Sequence, residues 1–537
     1  MIWKILSEGK NKNIIDALLK NRGIKTAKQK KEFLNPVPPE KISVKALGIS
    51  KLEISQAIER IKTAVKTKEK VIVYGDYDAD GICGTAILWE ALYSLGLDVL
   101  PYIPERFSEG YGLNIESIQK LKKESKNLGL IITVDHGIVA NKKVDLAGKL
   151  GIDIIITDHH EAGKIKPAAL ATIHTTQISG STVAWVLARE LGTTNGLELA
   201  GIGTIADQLP LIGPNRSFAK YGLVQLAKTK RPGLLALFAE ARIDPNSIGS
   251  YEINFIIAPR LNAMGRLVHG LDSLRLLCTK NKIRARELAA LIGKTNLQRQ
   301  KIVEEVLVHA QEKLGNEVKE NIIILAHENY HEGVIGLAAA KLVEKFYRPA
   351  IVLSKKKEIS KASARSISGF NIIEVIRKLE HLYLEGGGHP MAAGFSIETA
   401  KIKLFAQEIN KLAKPLLTEE ILSKKLKIDL ELDFNRINYD LYDKLTEFEP
   451  TGLGNFTPLF CTRKVKVLEA RTVGKENNHL KLKLEKNGIA FNAIGFGLAK
   501  NYPLTPNSYI DVVYSLEDNS WNGTRILELK LRDLRVY

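Results

Sequence analysis

The sequence predicts an α/β protein built as a parallel-sheet domain, a long helix, a second α/β domain and a small C-terminal β-barrel. Three observations carry that reading. The apolar runs at 71–73, 130–134 and 154–157 do not alternate and are rich in β-branched residues, which marks buried parallel strands. From residue 282 to about 315 apolar residues keep a helical spacing that only Gly293 interrupts. After residue 423 the pattern turns to alternation, as in Leu480-Lys481-Leu482-Lys483-Leu484, with turn signals at Gly474-Lys475, Asn487-Gly488 and Asn522-Gly523.

A chain of 537 residues exceeds a single core, and at roughly 150 residues per domain it holds three or four units. With 45% hydrophobic and 26% charged residues it is globular. No apolar run approaches the ~20 residues of a membrane span and the start Met-Ile-Trp-Lys-Ile-Leu is no secretory signal, so a soluble cytoplasmic protein with no membrane partner is expected. Cys83, Cys278 and Cys461 lack metal-ligand spacing and cannot build a disulfide framework, which excludes a zinc ribbon and fits a reducing compartment. The formal charge of +18 points to a polyanionic partner, nucleic acid above all. A merely basic enzyme is the alternative, and charge does not separate DNA from RNA.

Residues 1–50 are Lys/Arg-rich, carry Asn-Pro-Val-Pro-Pro and show a weak helical pattern through Ile14, Ala17 and Leu18, which reads as an N-terminal arm. A helix marked by Ile54, Ala57, Ile58 and Ile61 leads into the first strand, which Gly75 ends. Asp76, Asp78 and Asp80 follow at every second residue, at the carboxyl end of a strand, where open α/β sheets place ligands. Three anions so close repel unless a cation neutralises them, and hard oxygen ligands favour magnesium or manganese. A calcium loop is excluded because the twelfth position from Asp76 is Ile87 where a bidentate Glu is required. A plain acidic cap on the helix near Gly81 is the remaining alternative, although one cap needs one side chain. The run Ala86, Ile87, Trp89, Ala91 and Leu92 reads as the crossover helix.

The second and third strands deliver Asp135-His136-Gly137 and Asp158-His159-His160, so acidic and imidazole groups recur at corresponding strand ends. Asp207 follows an apolar segment from Ala200 and, alone, reads equally well as a helix-terminus residue. A helix of ~33 residues from residue 282 would span ~50 Å and suits a rod between two lobes, with burial inside one lobe as the alternative. In the second lobe His331-Glu332-Gly333-Val334-Ile335 fails as a zinc helix because Ile335 stands where a second histidine is needed. The glycines 386–388 can present backbone amides, and Arg365 can bind phosphate bidentately.

Asp-Tyr-Asp-Ala-Asp-Gly, Val-Asp-His-Gly, Asp-His-His and Ala-Asp-x-x-Pro-Leu together resemble the DHH phosphoesterase superfamily, specifically its RecJ branch of single-strand-specific 5′→3′ exonucleases. Ile-Pro-Glu-Arg-Phe-Ser-Glu-Gly-Tyr-Gly-Leu from Ile103, Pro-Arg-Leu-Asn-Ala-Met-Gly-Arg from Pro259 and Gly-Gly-Gly-His-Pro-Met-Ala-Ala-Gly from Gly386 are similar to the same family, in order from about residue 45 to the C-terminus. The resemblance implies a DHH catalytic domain at 51–281, a connecting helix at 282–315, a DHHA1 substrate-binding domain at 316–422 and an OB-fold nucleic-acid-binding domain at 423–537. It implies two divalent metal ions, Mn2+ or Mg2+, with Asp76 and Asp78 each favouring one, Asp135 bridging, His159 and Asp207 completing the set and Asp80 a further ligand. His160 would face the scissile phosphate and Asp158 would orient the histidines, making Asp135, Asp158 and His160 the catalytic set. Arg106, Arg260, Asn262, Arg266, Arg365, Ser366, Gly387, Gly388 and His389 would bind substrate, the arginines around a terminal 5′-phosphate. The loop after Asp-His-His is shorter than in relatives, and Gln208-Leu209 replaces a usual pair of valines.

The function so implied is a two-metal, single-stranded-DNA-specific 5′→3′ exonuclease releasing 5′-mononucleotides in DNA repair and recombination. Single-stranded DNA is the expected partner, with a single-strand-binding protein and a helicase as candidate protein partners. The alternatives are a DHH phosphodiesterase on short RNA or cyclic dinucleotides, against which the barrel and the charge count, and a non-catalytic replication scaffold, against which the complete acidic and histidine set counts.

Overall fold

The structure, a computed structural model, describes every residue except 8–12, 316–317, 319, 500–501, 503 and 520–524, so the turn at Asn522-Gly523 lies outside the described residues. Among the described residues the strands fall into three sheets. Strand β1 (Ile2–Ser7) belongs to the last of them. The catalytic sheet holds β2 (Lys70–Gly75), β3 (Asp98–Tyr102), β4 (Leu128–Val134), β5 (Asp153–Asp158) and β6 (Ala171–His174), all parallel, in the order β3-β2-β4-β5-β6. Val73, Ile132 and Ile155 point to one core, and Ile72, Ile131 and Ile154 to another on the opposite face. Burial on both faces is why these runs show no alternation.

Register places the site. Gly75 lies opposite Val134 and Val134 opposite Thr157, so the next residues, Asp76, Asp135 and Asp158, leave the sheet at one edge. The chain leaves β2 for β3 on one side and β4 on the other, which makes this edge the point where the strand order reverses.

The helix Lys282–Leu314 has 33 residues, is capped by the Asn281 side chain and stops at Gly315 with φ 65°. Its first half buries Leu288, Ala289 and Ile292 in the catalytic core; its second half buries Val306 and Ala310 against the second lobe. That lobe is a mixed sheet of β7 (Ile323–His327), β8 (Ala350–Ser354), β9 (Ile359–Arg365), β10 (Glu385–His389) and β11 (Ala392–Glu398) in the order β10-β11-β9-β8-β7.

The last sheet begins with β12 (Lys425–Glu431). Strands β13 (Phe460–Val473), β14 (His479–Lys486), β15 (Ile489–Gly495), β17 (Leu527–Val536) and β16 (Tyr509–Asp518) then close into a barrel through β13–β16 pairing. The expected N-terminal arm is packed on the molecule where it is described: residues 2–7 and 14–33 lie against the barrel, and Val44, Leu47 and Ile49 join the core that also holds β2. Strand β1 pairs in parallel with β12, Trp3 opposite Leu426, and Leu18, Leu19 and Phe33 share a core with Phe448 and Tyr514. One residue of the catalytic domain fastens this assembly. The buried Arg216 guanidinium donates to the carbonyls of Phe33 (2.6 Å), Glu447 (2.8 Å), Phe448 (2.9 Å), Glu449 (2.9 Å) and Pro450 (3.2 Å), and lies 4.0 Å from the Phe33 ring centroid. Burial pushes its pKa down to about 10. The Leu211 amide adds a bond to the Leu453 carbonyl.

Candidate metal centre and phosphate cleft

The acidic turn after β2 runs directly into the helix Ala79–Ser94, and its three carboxylates meet different neighbours. Asp78 caps that helix, accepting from the Gly81 amide at 3.0 Å. Asp80 accepts from the Gly180 and Ser181 amides at 2.6 and 3.1 Å, so both of its oxygens hold the start of the helix Gly180–Glu190. Asp76 Oδ1 is buried and accepts nothing. From β4, Asp135 adopts a left-handed backbone (φ 68°), a strained conformation for a non-glycine, while its amide donates to the Thr157 carbonyl. Its Oδ1 is likewise buried without a hydrogen bond. Gly180 lies so close that a Cβ there would overlap the Asp135 carboxylate.

His159 is the hub. Its Nε2 lies 3.0 Å from Asp135, 3.6 Å from Asp207 and 4.0 Å from Asp80. Ligand atoms gather into three groups: Asp76, Asp78 and Asp135; Asp80, His159 and Asp207; Asp135, His159 and His160. Burial and then the neighbouring carboxylates drive the pKa values of Asp76, Asp78 and Asp135 upward, and push Asp207 up to about 8. Burial lowers that of His159. A buried carboxylate oxygen without a donor is costly, and a carboxylate–imidazole set of this kind suits hard divalent cations. The residues present therefore fit a pair of Mn2+ or Mg2+ ions.

Unlike Asp76 and Asp135, Asp158 has hydrogen-bond donors for both of its carboxylate oxygens. It accepts from the amides of Ile138, His159 and His160 and, at 2.9 Å, from His160 Nδ1. Burial opposes its charge, yet the His160 hydrogen bond and the amides hold it at about 2. Against its own burial, His160 is raised to about 9 by the same bond and by the surrounding carboxylates. Its side chain is 40% exposed, so the imidazole faces the cleft.

Beside the acids stands a cluster of arginines. The Arg106 guanidinium lies 4.9 Å from the Tyr77 ring centroid. Burial, then repulsion from Arg106 and Arg299, pushes Arg266 down to about 10; burial and Arg106 lower Arg365. Arg266 donates to the Gly333 carbonyl (3.3 Å) and Arg365 to the Ala364 carbonyl (2.8 Å), and neither has a carboxylate partner among the described residues. Arg365 comes from β9 of the second lobe, so the cluster spans both lobes. Gly333 makes this approach possible, since a Cβ there would overlap the Arg266 carbonyl.

Three stretches match known domain families: 70–206 the DHH family, N-terminal domain; 319–414 the DHHA1 domain; 428–533 the RecJ OB domain. A single-stranded-DNA-specific exonuclease RecJ of Bacillus subtilis is 34% identical over 539 residues, covering 97% of this chain and 68% of the relative. The chain belongs to the RecJ family. The RecJ of Haemophilus influenzae is 32% identical, with 89% of each chain covered. The crystal structure of RecJ from Thermus thermophilus in complex with Mn2+ matches with a TM-score of 0.85 at 27% identity, over 99% of this chain and 79% of that one. An exonuclease RecJ structure bound to manganese matches with a TM-score of 0.60 at 32% identity, over 70% and 96%.

The remaining substrate-binding candidates do not all converge. Arg260 is held by Glu240 (2.8 Å) and the Ile256 carbonyl, so its guanidinium is engaged within the catalytic domain. The Ser366 hydroxyl donates to the Phe370 carbonyl at 2.6 Å inside the second lobe. Asn262 keeps a buried Oδ1 without a hydrogen bond. Gly387, Gly388 and His389 lie exposed on the edge strand β10. His389 pairs with Ala392 and Ala392 with Arg365, which puts it two strand spacings, about 10 Å, from Arg365.

Sequence reasoning passed over Tyr77, Tyr111 and Arg299. The Tyr111 hydroxyl donates to the Asp135 carbonyl (3.0 Å) and lies 3.4 Å from His160 Nε2. It sits in the RecJ-like stretch from Ile103, where only the arginine drew attention. For Arg299 the sequence carries no signal, because the face a long helix turns to the site depends on the packing of both lobes. The short loop after Asp-His-His passes through β6 and delivers Gly180 and Ser181 to Asp80. No helix among the described residues is long and apolar enough to cross a membrane.

Proposed function

We propose that this chain is a single-stranded-DNA-specific exonuclease that starts at 5′ ends and releases 5′-mononucleotides, acting in DNA repair and recombination. The carrying observation is the juxtaposition of cleft arginines from both lobes, which bond only to carbonyl and hydroxyl oxygens among the described residues, with a carboxylate cluster whose Asp76 and Asp135 each keep a buried oxygen without a hydrogen-bond donor. A terminal phosphate bears more charge than an internal diester, so Arg106, Arg266 and Arg365 gain more from a 5′ end than from mid-strand. Asp76, Asp78, Asp135, His159 and Asp207 would hold the two cations, with Asp80 bracing Asp135 through Gly180. Bound there, such ions supply charge neutralisation at the phosphoryl oxygens and water of lowered pKa.

His160, protonated and held by Asp158, presents Nε2–H to a phosphoryl oxygen and stabilises negative charge as it develops. The Tyr111 hydroxyl, 3.4 Å from the same Nε2, flanks that position. The cleft between the lobes fixes the terminal nucleotide while the OB-fold barrel holds the strand beyond it. A single-strand-binding protein and a helicase are the partner classes this reading calls for, and a reducing cytoplasm suits three free cysteines.

Digestion of 5′- and 3′-labelled single- and double-stranded DNA and RNA, with Mn2+ or Mg2+, tests the reading. The expected first product is the labelled 5′-mononucleotide from single-stranded DNA. Release of the 3′ label first would overturn the polarity, and equal degradation of RNA would overturn the DNA specificity.

A further inference from the structure

An aromatic pair beside the metal centre has no role in the account above. Tyr251 and Phe255 are 64% and 66% exposed, and their rings lie 4.9 Å apart at 35°. They share one flank of a helical stretch, Ser250–Glu252, Ile253–Ile257 and Ala258–Leu267, whose opposite flank buries Ile253 and Ile257. The middle segment is a π-turn. Pro259, four residues after Phe255, has no amide to give the Phe255 carbonyl, so the ladder widens there.

This helix runs alongside the centre from end to end. Near its start Asn254, between the two aromatics, accepts from Gln208 at 2.6 Å, and Gln208 directly follows Asp207. At its far end Arg266 feels the Asp78 carboxylate and belongs to the arginine cluster. At 1.5 Å per residue Phe255 and Arg266 stand about 17 Å apart along the helix, and Gly265, beside Arg266, packs against the Tyr77 carbonyl of the acidic turn. A strand whose 5′-phosphate sits among the arginines and whose first linkage lies at the acids must continue towards Gln208.

We infer that Tyr251 and Phe255 form a stacking platform for the bases of single-stranded DNA on the 3′ side of the scissile linkage. The inference rests on the proposed direction of the strand. Two large aromatic faces left in water are unfavourable unless something covers them, and every nucleobase has a π-face that fits without regard to sequence. Continuity with the phosphate cleft selects the DNA strand as the occupant.

The test compares two 5′-phosphorylated oligothymidylates, one complete and one with abasic residues at the second to fifth positions. Binding is read by fluorescence anisotropy in chelator, where nothing is cleaved, and KM by digestion with Mn2+. Wild-type protein should bind the complete strand at least tenfold more tightly, and in the Tyr251→Ala/Phe255→Ala double variant that ratio should collapse towards one. Tyr251→Phe/Phe255→Tyr should restore it, which separates stacking from damage to the helix. A wild type that ignores the missing bases, or a double variant that keeps the full ratio, overturns the platform. Digestion of the complete strand from its 3′ end would instead overturn the polarity on which it rests, a result visible in wild type alone.

Discussion

On the far side of the catalytic domain Arg231 donates to Glu90 and Glu198, both within 2.6 Å, with side-chain exposures of 15, 27 and 14%. In the cleft, arginines stand beside arginines and carboxylates beside carboxylates. The far cluster satisfies itself, and the pairing holds Arg231 well above its usual range despite burial. In the cleft, burial and like charge push Asp76, Asp78, Asp135, Asp207, Arg266 and Arg365 towards neutrality, which is unfavourable for the folded chain, whereas the Asp158–His160 pair is held charged. Arg231 finds its carboxylates within the chain, whereas the cleft acids and arginines, the Asp158–His160 pair apart, are grouped by like charge and suit cations and a phosphate.

That contrast can be broken most severely at Asp135. Asp135→Ala should lower turnover roughly a thousandfold or more, in keeping with a loss of several kcal/mol of charge stabilisation. In chelator its melting temperature should equal or exceed that of wild type, because a buried, repelled carboxylate is gone. A large drop in melting temperature with turnover retained would make Asp135 a structural residue.

Arginine substitutions on the two sides should divide cleanly. Arg231→Met leaves two carboxylates without a partner and should cost about 3 kcal/mol of stability in urea unfolding, with KM little changed. Arg266→Met should do the reverse, raising KM for 5′-phosphorylated strands by roughly 10- to 100-fold and far less for 5′-hydroxyl strands, at unchanged or higher stability. Equal KM effects on both substrates would remove Arg266 from the terminal-phosphate site.

Metal should act on stability as well as rate. Mn2+ at a hundred times its dissociation constant should raise unfolding free energy by about 2.7 kcal/mol per site, and chelator should abolish the gain. Asp76→Asn should shrink it.

The smallest effect is a pH dependence in chelator. Asp158, depressed to about 2, contributes stability that is present above the ordinary carboxylate pKa and is lost as pH falls below it and through about 2. His160, raised to about 9, contributes stability that is complete below its ordinary 6.5 and lost as pH rises through about 9. Wild type should therefore weaken between pH 6.5 and 9, and Asp158→Asn should flatten that slope. An unchanged slope in the variant would mean that the pair is not coupled.

The sheet edge was legible in the sequence because buried parallel strands are continuous apolar runs, and each of three ended on a ligand-type residue. Position alone could not separate the roles within the acidic turn. Asp76 and Asp80 look alike in sequence, but a helix start a hundred residues later claims both oxygens of Asp80. Arg260 looked like Arg266 until Glu240 was seen to hold it. The strand Ile2–Ser7 is short and half-exposed, and its partner lies at the other end of the chain, so no local pattern joins the two. Tyr251 and Phe255 escaped notice for the same reason: their exposure is a property of the assembled surface.

Arg216 sets one condition on how the whole machine responds to its surroundings. Its acceptors are five carbonyl dipoles with no carboxylate among them, and the bonds to Phe33, Phe448 and Pro450 are buried. Mobile ions screen charge against charge across water but have little hold on such a contact. The grip of a basic surface on a nucleic acid, by contrast, weakens steeply as counterions compete for the phosphates. Ionic strength therefore acts on the strand and leaves the Arg216 joint between barrel and catalytic domain intact, so a rise in salt loosens the substrate from a frame that keeps its shape.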